Sequence, residues 1–106
     1  MDAQTILVEL QTLRSGEPEG ALTRLRELLA ALEQVMLADR HSSAGIAAAL
    51  THQAIDYLCE GISVEQNRPD VARRNQPEVG RRFALAINRA ETWVATIEQS
   101  ANPFRG

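Results

Sequence analysis

Residues 18–39 read PEGALTRLRELLAALEQVMLAD. Leu22, Leu25, Leu29, Leu32 and Met36 return at intervals of three and four, the spacing of one face of an α-helix, and Leu28 and Val35 widen that face. Pro18 suits the first turn, which needs no amide donor, and Glu17 and Glu19 complement the helix dipole there. A helix of about 20 residues is roughly 30 Å long. Its apolar stripe is wider than a two-stranded coiled-coil seam requires, so it has to touch more than one neighbour. Apolar width left over after packing is a docking strip for another helix, and Leu28, Val35 and Met36 are its candidate residues.

The neighbours are legible on both sides. Ile6, Leu10 and Leu13, with Leu7 beside them, predict a helix over about 3–15, which Ser15-Gly16 and then Pro18 bring to a stop. After Asp39-Arg40-His41, Ser42 or Ser43 caps a third helix over about 43–60. Ile46, Leu50, Ala54 and Leu58 are expected inward, with Ile55 and Tyr57 flanking and Gly61 closing the helix. The nearly all-small run Ala44–Ala49 suits a tight helix crossing. A last helix over about 77–100 turns Val79, Phe83, Ile87, Ala90, Val94 and Ile97 inward, places Trp93 at the edge of the stripe, and stops at Asn102-Pro103. The tail 101–106 is expected to fray unless Phe104 is anchored. Short connections make sequential helices antiparallel neighbours. The expected fold is one all-α domain over 1–106, an up-and-down four-helix bundle whose open strip a homodimer would cover.

Composition points the same way. Sixteen Ala and twelve Leu in 106 residues favour helix, and aromatics are only 4%. A single cysteine, Cys59, excludes an intrachain disulfide. Neither a signal peptide nor an apolar run of the roughly 18–20 residues that span a bilayer is visible, so a cytoplasmic protein without a membrane partner is expected.

The charge is uneven. Residues 1–53 hold four Arg against seven acids, residues 54–106 hold seven of each, and there is no Lys. Much of the basic charge falls in a tandem octad: Asn67–Arg74 and Asn75–Arg82 share the pattern Asn-x-Pro-acid-Val-small-Arg-Arg. Each copy has the form of a helix start, with Asn as cap, Pro in the first turn and an acid three residues after the Asn. Proline disfavours helix at the residue before it, so a short turn over about 69–74 and a corner near Asn75-Gln76 are expected. Six arginines from Arg68 to Arg89 stand against Asp70 and Glu78, with Glu65 just before. Arg73, Arg74, Arg81 and Arg82 are thus candidates for holding an acidic partner through paired hydrogen bonds. The blander expectation is that they pair with Glu17, Glu19, Glu27 and Glu33. Nucleic acid is disfavoured, because the chain is acidic overall and carries no nucleic-acid-binding motif.

His52, Asp56 and Cys59 follow at intervals of four and three and share a helical face. They are the one constellation suited to a metal or to acid–base chemistry. The competing reading makes His52 and Asp56 an ordinary rim pair and Cys59 a small core residue. No nucleophile elbow, phosphate loop or His-Glu-x-x-His motif occurs. The expected function is a non-catalytic, cofactor-free protein-interaction module (adaptor, chaperone or regulator) for an acidic or helical protein. The alternative is a metal- or small-ligand-binding bundle built on that His/Asp/Cys face.

Overall fold

The computed structural model describes residues 2–16, 20–39, 41–68 and 72–100, and their side chains except at 65, 72–76 and 100. They form four helices: α1 (Ala3–Ser15), α2 (Ala21–Ala38), α3 (Ser43–Asn67) and α4 (Ala72–Ser100). The chain is an all-α four-helix bundle, and no strand occurs among the described residues. The proposed roles of Pro18, the Asn102-Pro103 stop and the tail 101–106 fall outside the described residues, as do 69–71 of the expected short turn.

Local chemistry sets the helix starts. Asp2 caps α1 by accepting the Thr5 amide at 2.8 Å, and the Thr5 side chain and then that amide hold its carboxyl below the ordinary value. Ser42 caps α3 by accepting the Gly45 amide at 2.9 Å. Gly20, at the start of α2, has φ 82°, a left-handed conformation that favours glycine.

Two boundaries depart from the sequence expectation. α3 runs through Gly61 to Asn67, because Gly61 is no cap: it is buried, and a Cβ there would lie 3.1 Å from Arg82 Cδ and Nη1. The glycine serves a close approach, and Ile62 beyond it reaches the core. α4 in turn begins at Ala72 and passes through Asn75-Gln76 with Pro77 inside it, so the expected corner is absent. Pro77 is only the sixth residue of the helix, so its missing amide costs a single bond, to the carbonyl of residue 73.

Packing is most extensive between α3 and α4, then between α2 and α3, then between α1 and α4. Both helices of the first pair bury small residues: Ala47, Ala48 and Ala54 of α3 and Ala86 and Ala90 of α4. Ile6, Leu10, Leu25, Leu28, Leu32, Ile55, Leu58 and Trp93 fill the wider remainder. Burying each such side chain contributes about 1.5–3 kcal/mol. Arg24 ties α2 back to α1 through two hydrogen bonds to Glu9, at 2.7 and 3.1 Å. Thr51, the buried polar side chain of α3, satisfies its hydroxyl on the Ala47 carbonyl.

The inward faces correct three expectations. Leu28 lies at the centre of the α2 stripe and is fully buried, so it takes no part in a docking strip; Val35 and Met36 are half-buried against the core. On α3, Ile46, Leu50 and Tyr57 face solvent while the alanines face inward. On α4, Trp93 belongs to the core, and Ile97 is exposed.

Candidate protein-docking face

α3 buries Ile55, Leu58 and Ile62 along with its alanines and leaves its other large apolar side chains outside the core. Ile46, Leu50, Tyr57 and Val64, with Leu85 of α4, are between 37% and 56% exposed. On α3 the first four belong to the series 46, 50, 53, 57, 60, 64, with alternating intervals of four and three that keep one line along the helix. Gln53 and Glu60 fill the two polar places in it, both exposed.

Leu50, Gln53, Ala54, Tyr57, Leu85 and Arg89 line one groove of about 280 Å³ between the outer edges of α3 and α4. That volume is enough for one or two large apolar side chains. Arg89 is half-buried in this groove and makes no ion pair or hydrogen bond with any described residue. A guanidinium beside apolar walls without a carboxylate is an open invitation to an acid from outside.

The lower half of the face is braced by a clamp. Glu78 accepts from Arg81 at 2.8 Å, from Arg82 at 3.1 Å and from the Tyr57 hydroxyl at 3.2 Å. Arg81 and then Arg82 hold the Glu78 carboxyl down to about 2, against an ordinary 4.5. Arg82 also donates to the Tyr57 carbonyl at 2.8 Å and lies 3.6 Å over the Tyr57 ring. The open side of Gly61 is what admits it.

The candidate arginines therefore divide. Arg81 and Arg82 are engaged within the second octad by its own Glu78; of the acids expected to pair with them, Glu27 goes to Arg24 and Glu33 to His52, and Glu17 and Glu19 lie outside the described residues. The side chains of Arg73 and Arg74 lie outside those described. Arg89 was visible in the sequence as part of the basic run, but Ile46, Leu50, Tyr57 and Leu85 were missed as surface residues. The signal for them lay in the Ala44–Ala49 run: an all-small face is the one that suits a close crossing, which turns the larger residues outward.

The His/Asp/Cys face does not assemble. His52 and Asp56 line a second groove of about 490 Å³ with Met36, Gly45, Ile46, Ala49, Leu50 and Gln53. His52 Nε2 is 3.5 Å from Glu33 Oε1, close enough for an ion pair when protonated but without hydrogen-bond geometry. Cys59 sits in the core, where burial and then nearby Asp56 push its thiol up to about 11. Among the described residues no three His, Cys, Asp or Glu side chains are grouped to hold a metal ion. No described helix is long and apolar enough to cross a membrane. No family model matches this chain, and no curated protein or solved structure compared with it matches either.

Proposed function

We propose that this chain is a non-catalytic cytoplasmic interaction module, an adaptor, chaperone or regulator that works by docking a protein on the outer face of α3 and α4 and that acts as a homodimer. One observation carries the proposal: five apolar side chains and an arginine without an acid among the described residues share that face, each of them outside the core. Scattered exposed apolar residues are ordinary, but a line of them along one helix beside an uncompensated charge matches the pattern of an interface core with a polar rim. The clamp of Glu78, Arg81, Arg82 and Tyr57 supports the same reading, since it holds one wall of the groove in a fixed shape before any partner arrives.

A photo-cross-linking residue at Gln53, in the middle of the face, tests this in lysate of the source cells. The expected result is a discrete covalent adduct that Leu50→Asp or Leu85→Asp abolishes while the helical circular dichroism is unchanged. Failure to form any adduct, or an adduct indifferent to both substitutions, removes the docking face from consideration.

A further inference from the structure

The docking face can be given an occupant. Resting on the reading above, we infer that the α3–α4 face binds a second copy of this chain about a two-fold axis, with the two α3 helices antiparallel and the axis passing between Gln53 and Tyr57.

The argument begins with the line 46, 50, 53, 57, 60, 64. Its intervals run 4-3-4-3-4 and so read the same in both directions. Two antiparallel copies centred between 53 and 57 bring Ile46 opposite Val64, Leu50 opposite Glu60 and Gln53 opposite Tyr57, each pairing occurring twice as an isologous interface demands. Both ends of the seam then close on apolar pairs, and its middle on an amide beside a phenol ring.

Charge selects the same register. Within one copy neither Glu60 nor Arg89 makes an ion pair with any described residue. α3 and α4 are antiparallel, since Tyr57 meets Arg82 while Leu50 shares its groove with Leu85 and Arg89. Arg89 therefore lies at the level of Leu50. In the proposed register Glu60 of one copy stands opposite Leu50 of the other, and hence beside the second copy's Arg89. Two groups that pair with no described residue of their own copy meet twice in the dimer. Leu50 and Gln53 line both grooves, so the stripe runs between Arg89 on the α4 side and Asp56 with His52 on the α2 side.

The size fits a weak dimer. From residue 46 to 64 the seam is about 27 Å long, and two helices are about 20 Å wide, giving roughly 540 Å² in projection. Stable complexes take about 800 Å² of accessible surface per partner, and interfaces at the low end are transient. A dissociation constant in the micromolar range is expected.

Sedimentation equilibrium over a range spanning low to high micromolar concentration tests the dimer. The full chain should pass from monomer to dimer, and Glu60→Arg or Arg89→Glu alone should weaken association about tenfold, equivalent to roughly 1.4 kcal/mol. Combining the two reversals should restore it, because the pair is then re-formed with its signs exchanged. Register is read separately in a Cys59→Ala background. Mixing Ile46→Cys with Val64→Cys protein should give a disulfide-linked dimer, whereas neither alone should cross-link. A monomer at every concentration, a dimer untouched by the single reversals, or cross-linking of Ile46→Cys to itself overturns the inference. A monomer whose Gln53 cross-linker captures a different protein overturns the dimer and keeps the docking face; a monomer that captures nothing removes both.

Discussion

Replacing Gly61 with Ala should destabilise the protein, although the same change in an open helical site does the opposite. Ala is favoured over Gly inside a helix by about 1 kcal/mol. At Gly80, where nothing lies within 4 Å of an added Cβ, that gain should appear undiminished. At Gly61 the new methyl meets Arg82 Cδ and Nη1 at 3.1 Å, and Arg82 is fixed by Glu78 on one side and the Tyr57 carbonyl on the other. Displacing it costs about 1.5 kcal/mol for the charged hydrogen bond and about 0.5–1 kcal/mol for the stacking on Tyr57. The net change is a loss of about 1 kcal/mol. For 106 residues each kcal/mol moves Tm by about 4–5 °C. Thermal unfolding followed by circular dichroism should thus show Gly80→Ala higher and Gly61→Ala lower than the parent, each by about that amount. In an Arg82→Ala background Gly61→Ala should turn stabilising, giving a coupling of about 2 kcal/mol. If Gly61→Ala raises Tm as much as Gly80→Ala with Arg82 intact, the clamp does not hold Arg82 against α3, and the account of the rigid groove wall fails with it.

Leu28→Ala should cost about 3 kcal/mol and lower Tm by about 13 °C, while Leu29→Ala, at a half-buried position, should cost about 1 kcal/mol; urea or thermal unfolding that reverses the two would put the wrong leucine in the core. The Glu78 carboxyl, followed by NMR, should titrate near 2. Its folded-state value is depressed, so its contribution to stability is complete above about 4.5 and is lost as pH falls through about 2; in Arg81→Gln/Arg82→Gln protein the midpoint should return toward the ordinary carboxylate range. Cys59, buried with its thiol pushed up to about 11, should react with a disulfide reagent at pH 8 only slowly in the native protein and at once in denaturant.

Helix number, order and the whole of α1 could be read from the sequence, because leucine at three- and four-residue intervals admits one periodicity. Which side of each helix points inward was harder. In α2 the adjacent Leu28 and Leu29 both fit the stripe, and only the neighbours decide between them; Leu28 is the one fully buried. In α3 the bulkiest apolar residues were expected inward, yet hydrophobic patterning ranks residues by size while a close crossing ranks them by smallness. Ala54 and Leu58 are buried as expected, but Ala47 and Ala48 are buried where Ile46 and Leu50 were expected, and α3 packs most extensively on α4, whose Ala86 and Ala90 are also buried. Gly61 and Pro77 misled for a related reason. Each is a breaker by local preference worth only about 1–3 kcal/mol, and long-range packing by Ile62, Arg82 and the α3–α4 interface outweighs it.

The inversion of α3 links fold to function. A helix required only to pack would carry alanines inward and charged residues outward, since exposed Ile46, Leu50, Tyr57 and Val64 contribute little to the stability of one copy. Holding them in a single line adds nothing to the core of the monomer, whereas the clamp around Tyr57 also fastens α4 to α3. Arg89 is likewise costly alone, since its partial burial costs solvation that no acid among the described residues returns. Features that are costly or neutral alone and complementary when paired are those the proposed dimer would use. That is why the face of α3 and α4, and not the over-wide stripe of α2, is where binding is to be sought.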